Sequence, residues 1–256
     1  MMPCPDSLYG RIIHIEKTDS TSDYLRRLCS DEEAPEFTTV QADYQTAGKG
    51  QRGNSWESGI AENLLFSTII YPGFLEARNQ FDLSRVVALA VKDVLDQFTG
   101  HISVKWPNDI YWKDRKICGI LIENDLSGTA ICRSIIGIGI NINQQVFQSK
   151  APNPVSLTQV TGMNYELTPI LETFLVKLQH YYGMLRSGKV NDIRAMYVNS
   201  LYRKEGWHMY ADKNGEFSAT MVEVKPSGVL VLMDKENRKR EYAFKEVRYI
   251  LPSDES

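Results

Sequence analysis

Hydrophobic and polar positions alternate from Arg11 to Glu16, with Ile13 and Ile15 on one side, which predicts a strand. Asp19 or Ser20 then caps a short helix in which Tyr24, Leu25 and Leu28 share a face. Phe37 to Ala42 reads as a second strand. It runs into a polar, glycine-rich segment, Tyr44 to Asn63, that has no apolar period. A loop of that length inside a compact domain usually has a function. Leu64 to Tyr71 is a strongly apolar strand, and Leu83 to Phe98 is too apolar for a surface helix and reads as a core one.

The middle of the chain is rich in strand signals. Ile102 to Trp106 is stopped by Pro107, Ile110 to Trp112 resumes, and Lys113-Asp114-Arg115 turns into apolar runs at Ile117 to Glu123 and Ile131 to Ile142. Strands joined by short turns argue for an antiparallel or mixed sheet rather than repeated strand–helix–strand units. Leu167 to Leu185 forms an amphipathic helix and Val190 to Leu201 a second. From Trp207 to Leu251, four or five short strand-like runs are punctuated at Asp212–Gly215, Pro226–Gly228 and Asp234–Asn237, the pattern of a small barrel or sandwich. The expected architecture is therefore an α+β domain, 1–204, with helices packed on one face of a mixed sheet, and a small β domain, 205–256.

Composition narrows the classes. In 256 residues, 43% are hydrophobic and 24% charged, which excludes wholesale disorder. The net charge of -3 gives no bulk attraction to nucleic acid or anionic lipid. Apolar stretches such as Ile135 to Ile140 fall far short of the ~20 residues that span a bilayer. Met1 to Asp6 lacks the pattern of a secretory signal. Cys4, Cys29, Cys118 and Cys132 have no metal-ligand spacing, so a reducing cytoplasm is the expected setting.

Three polar segments could carry chemistry. Gly48, Gly50 and Gly53 spell G-x-G-x-x-G, but no helix-opening context follows and no acidic residue stands about 20 positions on, so a dinucleotide fold is excluded. The P-loop ending is also missing. The glycines still let the backbone approach an anion while Lys49 and Arg52 supply charge; a plain surface loop is the alternative. Trp56 either covers an aromatic ligand or anchors the loop. In Lys105-Trp106-Pro107-Asn108-Asp109, a carboxylate follows a strand break near Lys105, Arg115 and Lys116: either a structural ion pair or an active-site group beside a lysine that grips an anion. Gly137-Ile138-Gly139-Ile140-Asn141 is a strand whose missing side chains admit a ligand or another backbone. His14, His101, His180 and His208 are dispersed, and no nucleophile elbow appears.

Taken in order, Asp19-Ser20-Thr21-Ser22, Tyr44 to Trp56, Lys105 to Asp109, Arg115 to Glu123 and Gly137 to Asn141 resemble the biotin–protein ligase family. The resemblance spans residues 10–143, and the β-rich tail fits that family's SH3-like C-terminal domain. It implies two steps: biotin and ATP give biotinyl-5′-AMP and pyrophosphate, and a lysine of a biotin carboxyl carrier domain then takes the biotin and releases AMP. Such chemistry needs charge stabilisation and alignment rather than a protein nucleophile. Carried over, Ser20, Thr21, Ser22 and Gln45 would hold biotin, together with Gly48, Lys49, Gly50, Gln51, Gly119 and Gly137. Lys116 would hold the carboxylate and then the anhydride. Lys49, Gly50, Gln51, Arg52, Trp56, Asn108 and Asn141 would meet the nucleotide, and Lys105, Arg52, Asp109 and Lys116 form the catalytic set. Asp109 is further expected to orient or deprotonate the acceptor lysine.

Gln51 stands where many relatives carry arginine, and Ser22 where asparagine is frequent, which weakens both positions as ligand contacts. Magnesium is implied by the triphosphate, with no ligands assigned. The resemblance leaves room for a homodimer. The first motif begins too early for a preceding helix-turn-helix domain, so no repressor function is expected. The rivals are a lipoate–protein ligase, whose Arg-Arg-x-Ser-Gly-Gly-Gly loop is missing here, and a non-catalytic biotin or nucleotide sensor.

Overall fold

The computed structural model describes residues 10–31, 34–148 and 153–251; Cys4, the Met1 to Asp6 run and the side chain of Arg52 lie outside that description. The larger sheet contains β1 (Ile12–Thr18), β2 (Thr39–Gln45), β3 (Leu64–Ile70), β4 (Ile102–Lys105), β5 (Asp109–Trp112), β6 (Arg115–Ser127) and β7 (Ala130–Ile140). Their spatial order is β1-β2-β3-β7-β6-β5-β4. β1 and β2 pair in parallel because α1 (Thr21–Asp31) carries the chain back between them. The remaining neighbours are antiparallel: tight turns join β4 to β5, β5 to β6 and β6 to β7, a long loop joins β2 to β3, and β3 meets β7 across the intervening elements.

One face of this sheet carries the helical layer. α2 (Phe81–Leu95) is buried almost throughout and packs on β4, β5 and β6 and on α4 (Leu167–Arg186) and α5 (Val190–Asn199). Phe66 of β3 meets Phe174 of α4 edge-on, ring centres 5.0 Å apart. Before α4 lies a short helix that periodicity does not reveal, α3 (Leu157–Thr161), closed by a capping box between Ser156 and Gln159 and ended by Gly162. α1 is the exception to the single helical layer. It covers part of the opposite face, where Leu25 joins Val40, Ile69 and Ile135 in a separate small core. The rest of that opposite face is left for the site.

The chain then builds β8 (His208–Asp212), β9 (Gly215–Val224), β10 (Leu230–Asp234), β11 (Lys239–Tyr242) and β12 (Arg248–Tyr249), antiparallel in the order β11-β10-β9-β8-β12. The turn between β9 and β10 is bolted to the larger sheet. Arg85 of α2 donates to the carbonyls of Val224 (3.1 Å) and Lys225 (2.7 Å), and the Trp106 indole N–H donates to Gly228 O at 2.9 Å. Arg85 is itself buried and paired with Asp82 at 2.7 Å, which also takes Arg194 at 2.7 Å. Among the described residues, no helix is long and apolar enough to cross a membrane.

Candidate active site

Strand register assembles the site. Lys105, Asp109, Gly119, Gly139 and Leu65 are successive cross-strand partners over five strands, so they share one face of the sheet. The next row runs Leu121, Gly137, Ser67 and Val40. Lys116 would point away from these rows in a regular ladder. A bulge in the β5–β6 pairing, where Tyr111 partners Lys116 after Ile110 partners Cys118, re-aims it. Its ammonium consequently reaches Asp109 at 2.6 Å.

Hydroxyls gather at the β2–β3 end. The Gln45 side-chain carbonyl accepts from the backbone N–H of Thr21 (2.7 Å) and from its hydroxyl (3.1 Å), which satisfies an otherwise orphaned amide at the start of α1. The Thr21 and Ser22 hydroxyls each lie within 2.9 Å of Ser67 Oγ. Ser20, Thr21, Ser22 and Ser67 are all buried. Ahead of them, Asp19 accepts from the Ser20 amide and is clamped by both terminal nitrogens of Arg27; the Arg27 hydrogen bonds, foremost, hold its carboxyl well below the usual carboxylate range. Ser20, Thr21 and Ser22, but not Ser67, line a narrow recess of about 50 Å³ with Gln45, Lys49, Gly50, Gln51, Asn108, Lys116, Gly119 and Gly137.

Cations gather at the β4–β5 end. Asp109 sits between Lys116 (2.6 Å) and Lys105 (3.9 Å). Burial lowers the pKa of Lys105, and the Asp109 charge opposes that shift only in part. Asn108 braces the strand break: its side-chain amide donates to Ile120 O at 2.7 Å, and its own carbonyl accepts from Ile120 N. A wider cleft of about 880 Å³ continues past Lys105, Asp109 and Asn141 to Phe147, Val247 and Tyr249. Asn141 donates to Val155 O, while its side-chain carbonyl is buried without a partner at the wall of that cleft. Cys118 lies on the far, helical side, where burial pushes its thiol far up, so it is no nucleophile.

The segment from Gly48 to Trp56 is an ordered hairpin that arches over this face. Trp56 N donates to Gly48 O, Gly50 N to Asn54 O, and Lys49 bridges to Ser55. Its tip is a tight turn, Gln51–Gly53, where Gly53 has φ +86, a conformation that disfavours side chains. Lys49 is engaged by Asp23 of α1 at 2.5 Å. Trp56 lies flat on the glycine pair: a Cβ at Gly139 would stand 2.3 Å from the indole, and one at Gly119 2.8 Å. The Lys116 ammonium is 5.6 Å from its ring centre, and the indole N–H is buried without a partner. What rests on the bare strands in this structure is thus Trp56 itself.

The structure brings together the residues singled out from the sequence, apart from the undescribed Arg52 side chain. Ser67, which hydrogen-bonds Thr21 and Ser22 from β3, belongs to none of the sequence motifs; its signal is the Ser67-Thr68 polar pair inside an otherwise apolar strand. Among the described residues, no three His, Cys, Asp or Glu side chains form a metal site. The donor set of the cleft therefore does not fit a metal held by protein groups alone.

A glycine bed thus has hydroxyls at one end and cations at the other under a glycine-rich hairpin, so one face of the sheet offers both hydrogen-bonding groups and positive charge. A family model described as the Biotin/lipoate A/B protein ligase family matches residues 14–141, and the chain belongs to that family. It is 29% identical to the bifunctional ligase/repressor BirA of Bacillus subtilis over 91% of this chain and 72% of that protein. It is also 32% identical to a biotin–[acetyl-CoA-carboxylase] ligase of Paracoccus denitrificans over 58% of this chain and 63% of that one. The fold superposes on a biotin protein ligase from Aquifex aeolicus, solved with biotin and ATP, with a TM-score of 0.78 and 24% identity, covering 94% of this chain and 99% of that one. The second of these relatives and the solved structure are named as biotin ligases.

Proposed function

We propose that this enzyme activates biotin as biotinyl-5′-AMP and transfers it to a lysine of a biotin carboxyl carrier domain. The observation that carries biotin over lipoate is the set of Ser20, Thr21, Ser22 and Gln45 lining the recess, with Ser67 hydrogen-bonded to Thr21 and Ser22. A ureido ring has two N–H donors and a carbonyl to exchange with these groups, whereas a dithiolane has none. These groups already bond one another, and the donor and acceptor capacity they have left favours the ligand that can use it.

With the head there, the acid tail runs along Gly119 and Gly139 toward Lys116. Trp56 must leave the glycine bed to admit it, and in its displaced position the indole can cover the adenine. Lys116 holds the carboxylate while one of its oxygens attacks the α-phosphorus of ATP and pyrophosphate departs. A charge-assisted hydrogen bond of that kind contributes roughly 1.5–3 kcal/mol. Lys105 faces the leaving phosphates, and the backbone of Gly50 and Gln51 lines their side. Asn141, with its unpartnered carbonyl, accepts from the adenine amino group. In the second step the acceptor amine attacks the acyl carbon, the bond to AMP breaks, and Asp109 takes the amine proton once Lys116 turns to the anhydride. Magnesium enters as the counter-ion of ATP rather than as a resident metal. A cytoplasmic setting suits the reaction; Cys118 and Cys132 are thiols.

The test is pyrophosphate exchange into ATP with biotin or lipoate, followed by mass measurement of a carrier domain. Exchange with biotin and a carrier mass raised by one biotinyl group are expected. Exchange with lipoate alone would establish the lipoate enzyme, and biotin binding without exchange would indicate a sensor.

A further inference from the structure

Lys105 is held in an unusual way. Its ammonium lies 5.0 Å from the ring centre of Tyr111 on β5 and 5.0 Å from that of Tyr249 on β12, in the C-terminal sheet. Among the described residues its charged partner is Asp109, 3.9 Å away and already taken by Lys116, and it makes no side-chain hydrogen bond. Ring faces attract a cation without accepting its N–H groups. The three donors of Lys105 are thus left for whatever enters the cleft, while its position is set from both sides.

One of those sides belongs to the second sheet, and its placement is enforced. Tyr249 pairs with Tyr210 across β12 and β8, packs edge-on against that ring at 5.0 Å, and is 5% exposed. Its hydroxyl is buried without a partner, so the ring and not the hydroxyl is what the site uses. The neighbouring Trp106 is tied to the same sheet through Gly228 O and packs on Phe244 at 5.4 Å. Two consecutive residues of the strand-break segment therefore take their positions from the C-terminal sheet.

We propose that Tyr249 is a positioning residue for ATP activation: its ring fixes the Lys105 ammonium with its donors open to the phosphates, so the C-terminal sheet completes the adenylation site. This inference rests on the ligase reading above. A carboxylate or amide at position 249 would consume those donors, and an aliphatic side chain would release the ammonium toward Asp109.

The experiment measures the two half-reactions separately in the full chain. Tyr249→Leu is expected to raise the KM for ATP in biotin-dependent exchange by about tenfold, the weight of one desolvated ring–cation contact. Transfer from preformed biotinyl-AMP to a carrier domain should stay within about twofold, and biotin affinity, read at the far end of the recess, should hold, showing an intact fold. Tyr249→Phe, which restores the ring, should recover the ATP KM. In a Lys105→Met background, Tyr249→Leu should add nothing to the ATP defect. Equal impairment of both half-reactions, failure of Tyr249→Phe to recover, or an additive defect in the Lys105→Met background would each overturn the proposal. Normal exchange by Tyr249→Leu would do the same. A parent chain with no biotin-dependent exchange at all would sink the ligase reading itself, and this inference with it.

Discussion

Lys116 and Asp109 are 2.6 Å apart, and neither role in the proposed chemistry survives without the other's placement. Replacing Lys116 by Met removes the group that holds the carboxylate; kcat/KM for exchange should fall by about 10- to 150-fold, the range of one charge-assisted hydrogen bond. Asp109→Asn should spare exchange more than transfer, measured with preformed biotinyl-AMP. Lys105 carries a different signature. Because burial lowers its pKa, its charge costs stability at neutral pH, a cost relieved as pH rises through the lowered value toward 10.5. Lys105→Met should therefore keep or raise the melting temperature at pH 7 while weakening ATP use. For Asp19 the sign is opposite. Its depressed carboxyl stabilises the fold above its ordinary value of 3.8 and loses that contribution as pH falls below it, so Asp19→Asn should flatten the acid limb of the stability profile. Motif residues such as these are legible in a sequence because their types are improbable in their surroundings. Their partners are not: nothing local pairs Lys49 with Asp23, or Ser22 with Ser67, 45 positions apart.

At the level of elements, the strong periods translate directly. The apolar run after Ser84 is a buried helix, and the alternating middle is an antiparallel ladder. The five-residue α3 carried its own cue, Ser156 three places before Gln159, but is too short to show a period. The bulge that turns Lys116 inward has no signature in residue types, because it is decided by how β5 and β6 pair. The polar stretch from Tyr44 to Asn63 contains no period and yet is structured, held by the strand behind it and by Trp56 lying on Gly119 and Gly139. That contact makes a prediction. Gly139→Ala must expel the indole, so Trp56 emission should shift to the red relative to a Trp56→Phe control, with a destabilisation of roughly 1–3 kcal/mol from overpacking. An unchanged spectrum would show that the hairpin does not rest where the structure puts it.

As a whole molecule, the protein joins two sheets through a turn, and the join is specific. Arg85, buried at 1% exposure beside Asp82, reaches the carbonyls of the β9–β10 turn, while Trp106 reaches Gly228 from the other side. Arg85→Ala should cost about 3 kcal/mol in urea unfolding, because buried carbonyls lose their donor and Asp82 keeps Arg194 alone. Composition and turn spacing announce that a small β unit follows the catalytic sheet, but not that it leans on the strand-break segment, since sequence separations above 120 residues leave no local trace. The central claim is spatial: an acyl-adenylate lies on the glycine bed between the hydroxyl cluster and Lys116. A crystal structure of the protein with biotinyl-5′-AMP tests it most directly. The ureido ring should sit against Thr21 and Gln45, the acyl-phosphate within hydrogen-bond distance of Lys116 Nζ, and Trp56 should be lifted from Gly119 and Gly139. An adenylate bound elsewhere, or Trp56 unmoved on the glycines beside it, would contradict the account.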